Sequence, residues 1–239
     1  MTNRFYFEGS LTDEMLLLEG SEAHHLLHVL RMRPGDSVLV FNGTGMEVEG
    51  VIENTSRKSV EIRVTSRREI QAESQVPLIL ATAVPKGDRF RWLVEKAAEL
   101  GVTRLVPLIT ERSSVDPGEN RLKKLQQTIV SAAKQSGQTR LTELASVQKW
   151  EDFLAEIRQQ ECRLFIADPE GTGWDDLQMD MEPGGPAIVV LIGPEGGFSG
   201  DEVQAARDAG AQPVRLNRGI LRIETAAILF VGLIRLNEA

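Results

Sequence analysis

Two short stretches of this chain set glycine and charge beside strongly apolar segments. They are Ile192-Gly193-Pro194-Glu195-Gly196-Gly197 and, about twenty residues on, Leu216-Asn217-Arg218-Gly219-Ile220-Leu221-Arg222-Ile223-Glu224-Thr225-Ala226. Turns of this composition at the ends of buried strands are where an α/β scaffold places a site. A phosphate-binding loop needs Gly-Lys-Ser/Thr so that a lysine meets the phosphates, yet Gly196-Gly197 is followed by Phe198-Ser199. The spacing of Gly193, Gly196 and Gly197 also misses the dinucleotide pattern, with glycines at its first, third and sixth positions. A carboxylate at Glu195 would repel phosphate by Coulomb force. A neutral or cationic ligand fits better, and an adenosine bearing a sulfonium meets that condition. A plain strand-to-helix turn accounts for the glycines equally well.

Other chemistry-bearing residues are sparse. His24, His25 and His28 fall within one short helical segment, with no acidic or cysteine cluster at ligand spacing, so no metal site is expected. Cys162 is the only cysteine, which excludes an internal disulfide and reads as a small core residue. No Ser-His-Asp or Cys-His set for covalent catalysis stands out, because all three histidines lie far from the glycine loops.

The elements around these residues have two textures. Up to about residue 72 the chain reads mostly as strands: Asp36–Phe41, Met46–Ile52 and Val60–Val64 alternate apolar with polar, and Asn42-Gly43-Thr44-Gly45 joins the first two as a hairpin. One helix interrupts, from Glu22 to Arg31 with Ser21 as its cap and Leu26, Leu27 and Leu30 on a shared stripe. The polar run Gln71-Ala72-Glu73-Ser74-Gln75 reads as a linker. Beyond it strands alternate with helices: strand Pro77–Ala83, helix Arg89–Leu100, strand Val102–Ile109, helix Glu119–Ser136, a short helix near Trp150–Gln159, a strand through Ile166, and the unbroken apolar strand Ala187–Ile192. Ser199 with Glu202 predicts a capping box opening a helix that ends at Gly210. Thr225–Leu236 is apolar nearly all round, which predicts burial against a partner helix or another subunit. The pattern is that of an α/β domain with a mainly parallel sheet, preceded by a small barrel or curled sheet.

Length and charge bound the function. The 239 residues suffice for one large domain or two modest ones. The net charge of -8 argues against a nucleic-acid coat that binds through overall basicity. Between Asn120 and Thr142, however, Arg121, Lys123, Lys124, Lys134 and Arg140 stand without an acidic residue. That run is either an RNA-facing patch or a solvated helix face. No 18-residue apolar stretch spans a bilayer and Met1-Thr2-Asn3-Arg4-Phe5 lacks the apolar run of a signal peptide, so a cytoplasmic protein without membrane partners is expected.

Several motifs in order now carry a resemblance. These are Arg4-Phe5-Tyr6-Phe7, His24-His25-Leu26-Leu27-His28-Val29-Leu30-Arg31, Lys96-Ala97-Ala98-Glu99-Leu100-Gly101-Val102, Glu111-Arg112-Ser113, Ala132-Ala133-Lys134-Gln135-Ser136-Gly137 and the two glycine stretches. Together they resemble the ribosomal RNA small subunit methyltransferase E family, within the SPOUT class, over essentially the whole chain. The resemblance implies an S-adenosylmethionine-dependent methyl transfer to N3 of one uridine in 16S ribosomal RNA, by a homodimer and without metal. It implies an RNA-binding PUA-like β-barrel over residues 1–72 and, over 73–239, a SPOUT-type parallel sheet threaded into a deep trefoil knot.

Carried onto this sequence, Ala167, Ile192, Gly193, Gly196, Gly197, Leu216, Ile220, Leu221, Arg222 and Thr225 would enclose the cofactor. At Gly196 close backbone approach and a positive φ are expected. Arg222 would stabilise charge on the uracil carbonyl oxygens, or else brace Glu224 or Glu195. Glu195 would orient a reactant or accept the proton. Arg4, Arg31, Arg33, Arg112 and Lys134 would meet RNA. The chain departs from the family pattern at Asn217, where glycine is common, at Gly219, where arginine often stands, and at Lys134 and Gln135. Two other readings stay open: a small-molecule enzyme on a Rossmann-like domain, and a non-catalytic RNA-binding protein of ribosome assembly.

Overall fold

The computed structural model describes residues 3–70, 76–177 and 184–237. The stretch read as a linker, residues 71–75, lies outside the described residues. The chain divides into two compact units, Met1–Ala72 with Ala133–Leu141, and Glu73–Ala132 with Thr142–Ala239.

The first unit is a five-stranded sheet of β1 (Asn3–Tyr6), β2 (Met15–Leu18), β3 (Ser37–Phe41), β4 (Met46–Thr55) and β5 (Val60–Glu69), in the order β1-β3-β4-β5-β2. Only β1 pairs with β3 in parallel; the other pairings are antiparallel. The β4–β5 ladder shifts register at Glu49/Gly50 and again at Ile52/Asn54. Such irregularities bend a ladder and increase its twist. The sheet curls around Phe5, Leu16, Val38, Val48 and Ile62, the inward members of alternating strands. The expected single helix is instead α1 (Gly20–His24) followed by a π-helical turn at His25–Val29. Its N-cap is Glu19, with no side-chain cap from Ser21. A wider turn rotates side chains off a 3.6-residue stripe. Of the three leucines only Leu26 is buried, and Leu30 is exposed.

The second unit alternates strand and helix: β6 (Leu78–Ala83), α2 (Arg89–Glu99), β7 (Arg104–Ile109), α3 (Glu119–Ser136), β8 (Glu143–Leu144), β9 (Gln148–Lys149), α4 (Trp150–Ile157), β10 (Cys162–Gly173), β11 (Ala187–Ile192), α5 (Gly200–Asp208), β12 (Gln212–Arg215) and α6 (Ile223–Asn237). The sheet runs β12-β10-β11-β6-β7-β8, with β9 also beside β7, and every pairing is parallel. Both faces are covered, so β6 is buried at every position and β11 from Ile188 to Ile192. Cys162 opens β10 half-buried, and burial pushes its thiol pKa up, which keeps it protonated and inert.

The C-terminal helix finds its partner within the unit. The α6 residues Ile223, Ala227, Phe230, Val231 and Ile234 are buried, and α6 packs on α2. Leu229 stays 37% exposed, and Trp92 of α2 is 43% exposed. Phe230 is therefore a core residue of the protomer rather than a surface one.

Candidate active site

Parallel topology places the carboxyl ends of β10, β11 and β12 side by side, and a cavity of about 270 Å³ opens there. Each strand supplies one wall. After β11 comes the glycine loop, Gly193 to Phe198; after β12 come Leu216, Asn217 and Gly219 to Leu221; and β10 contributes Ala167, Asp168 and Pro169. The β10–β12 ladder breaks between Ala167 and Thr172. Residues Asp168 to Gly171 thereby leave the sheet, which is how Asp168 and Pro169 reach the cavity wall.

The glycine loop is held from two sides. On one, the Ser199–Glu202 capping box forms as the sequence predicts: the Glu202 carboxylate accepts from the Ser199 N–H at 2.8 Å, and Ser199 Oγ accepts from the Glu202 N–H at 3.3 Å. Glu202 also accepts from the Glu111 N–H at 2.8 Å, and Arg112 donates to the Gly196 carbonyl at 2.8 Å. The Glu111-Arg112-Ser113 motif after β7 thus docks on the loop after β11, and Arg112 is a brace of that loop. On the other side Phe198 packs on Trp150, ring centroids 4.9 Å apart. Gly193 is needed for this packing, because a Cβ there would meet the Phe198 ring at 2.9 Å and its backbone nitrogen at 3.1 Å. The positive φ falls at Gly197, +68°, and not at Gly196.

Of the residues expected around the cofactor, Ala167, Ile192, Gly193, Gly196, Gly197, Leu216, Ile220 and Leu221 line the cavity. Arg222 and Thr225 do not; both side chains are exposed at the start of α6. Among the described residues no ion pair joins Arg222 to Glu224 or Glu195. Their cation is Arg89, with Nη2 3.8 Å from Glu195 Oε1 and Nη1 3.6 Å from Glu224 Oε1. Asn217 and Gly219 both line the wall, so the departures from the family pattern fall inside the site. Sequence reasoning missed Arg89, and of the loop after Ile166, which the resemblance also places at the cofactor, it singled out Ala167 and not Asp168. The only signal for Arg89 was a cation just past the carboxyl end of a buried strand.

The wall chemistry is distinctive. It carries the carboxylates of Asp168 and Glu195, apolar side chains and glycine backbone, and no lysine, arginine or histidine among the described lining residues. The cations that come near are already paired, Arg89 3.8 Å from Glu195 and Arg207 4.0 Å from Asp168, so little net positive charge is left for a phosphate. An apolar purine and a sulfonium would both be accommodated, so the residues present fit S-adenosylmethionine.

In the first unit the candidate RNA contacts divide. Arg31 and Arg33 are exposed, and Arg31 adopts φ +56°, the only left-handed non-glycine among the described residues. Arg4 is turned inward: its guanidinium side chain is 9% exposed, bonds the Glu47 carboxylate at 2.9 Å and the Ala133 carbonyl at 2.9 Å, and lies over the Phe41 ring. Lys134 likewise pairs with Glu22 at 2.7 Å. These two cations fasten Ala133–Leu141 to the five-stranded sheet and are spent within the protein.

Comparison with known proteins follows the same division. Residues 72–235 match the model of an RNA methyltransferase domain, and residues 18–65 that of an RNA methyltransferase PUA domain. Ribosomal RNA small subunit methyltransferase E of Synechocystis is 30% identical, covering 90% of this chain and 71% of its own. The Bacillus subtilis protein of the same name is 25% identical over 88% of this chain and 86% of its own. Among solved structures, the Neisseria gonorrhoeae methyltransferase E bound to S-adenosyl methionine superposes with TM-score 0.88 at 28% identity, covering 100% of this chain and 98% of that one. A putative methyltransferase from Legionella pneumophila in complex with the same cofactor gives 0.87 at 31% identity, with the same coverage. A cavity at three adjacent strand ends, the matches to both domain models and this whole-length likeness place the chain: it belongs to the ribosomal RNA small subunit methyltransferase E family of RNA methyltransferases.

Proposed function

We propose that this protein methylates N3 of a specific uridine in 16S ribosomal RNA, with S-adenosylmethionine as methyl donor. The observation that carries the reading is the cavity at the ends of β10, β11 and β12, with Asp168 and Glu195 and no lysine, arginine or histidine among its described lining residues. Ile192, Leu216, Ile220 and Leu221 would hold the adenosine, and Asp168 and Glu195 would favour the cationic end. When bound, S-adenosylmethionine supplies an activated methyl group, which the N3 lone pair takes while the carbon–sulfur bonding pair stays on sulfur. The protein's own task is to align the base in line and to exclude water. Glu195, on the cavity wall, takes the N3 proton and passes it to solvent. Arg222, exposed and with no hydrogen-bond or ion-pair partner for its side chain among the described residues, suits contact with the incoming RNA backbone, as do Arg31 and Arg33 of the PUA-like unit.

The reading includes a homodimer, supported by Trp92 and Leu229 standing exposed on the packed α2–α6 pair, and a trefoil knot formed by the segments that enclose the cofactor. No described helix is long and apolar enough to cross a membrane; the reading itself puts the enzyme in the cytoplasm, where small subunits are made. Calorimetry tests the cofactor directly. S-adenosylmethionine should bind the purified protein with or without a chelator. No binding, or binding that vanishes with chelation, would overturn the reading.

A further inference from the structure

Arg89 is held in an unusual way. Its two ion pairs, 3.8 Å to Glu195 and 3.6 Å to Glu224, are both longer than hydrogen bonds. Its Nε donates to the Lys86 carbonyl at 3.3 Å. The terminal nitrogens are thus attracted to two carboxylates while their N–H donors stay uncommitted. The backbone carrying Arg89 is fixed in turn: Arg121 donates to the Gly87 carbonyl and lies over the ring of buried Phe90. Glu224 is 7% exposed, and its Oε2 is buried with no hydrogen-bond partner. A half-satisfied buried carboxylate is a net cost to folding. Its place in the first turn of α6 eases that cost, since a helix N-terminus favours negative charge. Its neighbour Ile223 lines the cavity, as does Glu195 on Arg89's other side.

We propose, on the methyl-transfer reading above, that Arg89 is a catalytic residue that donates hydrogen bonds to a carbonyl oxygen of the target uracil, and that Glu224 is the positioning residue that anchors its guanidinium. As the N3 proton leaves, negative charge spreads onto the flanking carbonyl oxygens. Donors already in place stabilise that charge without reorganising at the moment of reaction. A planar guanidinium supplies paired donors, which an ammonium lacks. Two flanking carboxylates offset its charge, so it does not repel the cationic cofactor beside it. Arg222 has no such anchor and would have to freeze a long, solvated side chain to act in the same way.

Single-turnover methylation of 30S subunits, with cofactor affinity and melting temperature measured on the same preparations, tests this. Arg89→Gln should slow the chemical step by about 100-fold, the effect of losing one such donor, with cofactor affinity within about threefold of wild type. Arg89→Lys, which keeps the charge and guards against misfolding, should remain at least about 30-fold slow because the donor geometry is lost. Glu224→Gln should lower kcat by about tenfold with KM for 30S unchanged, the split of an interaction made in the transition state. A merely structural Glu224 would instead move melting temperature, KM and cofactor affinity together. Arg222→Ala should act chiefly on KM. An Arg89→Gln or Arg89→Lys rate within threefold of wild type overturns the proposal, and so does loss of rate and cofactor affinity by the same factor. Wild-type protein that does not methylate 30S would sink the functional reading itself, whereas active wild type with undiminished Arg89 variants sinks this inference alone.

Discussion

Gly193, Gly196 and Gly197 sit within five residues of one another and do three different jobs. Gly193 makes room for Phe198, Gly197 turns the chain at φ +68°, and Gly196 presents its carbonyl to Arg112. A Cβ on Gly196 would meet nothing nearer than Arg112 Cδ at 3.4 Å. Gly196→Val should therefore keep the fold and weaken cofactor binding by crowding the cavity. Gly197→Val should cost about 1–3 kcal/mol of stability through its left-handed backbone, roughly 2–10 °C in melting temperature for a chain of this size. Parallel melting curves and cofactor titrations separate the two; Gly196→Val melting lower than Gly197→Val would contradict the division. The sequence made these glycines visible as a group but could not say which needs the positive φ, because that depends on where Phe198 and Arg112 arrive from distant strands. Arg4 and Lys134 show the same limit. Their types suggest phosphate, yet partners 43 and 112 residues away, Glu47 and Glu22, claim them.

At the scale of elements, what is local was legible in the sequence, as with the Ser199–Glu202 capping box and the apolar run of β11. The π-helical turn at His25–Val29 was not, since an i,i+5 turn leaves no periodic mark over five residues. Nor was the bulge of β10 at Asp168-Pro169-Glu170-Gly171, whose residues spell a turn and interrupt the ladder with β12 until it resumes at Thr172. One cross-element link invites a test. Arg104 of β7 bonds Glu156 of α4 at 2.5 Å, and Gln148 of β9 donates to the same carboxylate at 2.9 Å. The Arg104 hydrogen bond, then that from Gln148, holds the Glu156 pKa below its ordinary value. A depressed carboxylate contributes stability that is full above its unfolded pKa, about 4.3, and fades as pH falls through the folded value. Glu156→Gln should thus cost about 1 kcal/mol at pH 7, a figure kept modest because the pair is partly solvated. The gap in melting temperature between mutant and wild type should narrow progressively as pH falls below the unfolded value of about 4.3. A gap that persists unchanged at low pH would mean packing, not charge, is what the substitution disturbs.

For the whole molecule, the alternation of strand and helix announced a parallel sheet, but not the order β12-β10-β11-β6-β7-β8 that gathers three strand ends into one cavity. Order is set by which distant strands pair, and single-strand periodicity carries no record of it. Assembly is a second property at this scale. Phe230 lies in the protomer core, so Phe230→Glu would unfold the chain, whereas Trp92→Glu places a charge on the exposed α2–α6 face. Light scattering should show a wild-type dimer and a folded Trp92→Glu monomer with sharply reduced activity; fully active monomeric wild type would contradict the dimer. The most direct measurement of the central claim is methyl transfer itself: purified protein, S-adenosylmethionine and 30S subunits from cells lacking this gene, followed by nucleoside mass spectrometry of the 16S RNA. One 3-methyluridine gained per 16S molecule is the expected result. No methyl incorporated, or a methyl group on another base or on ribose, would contradict it.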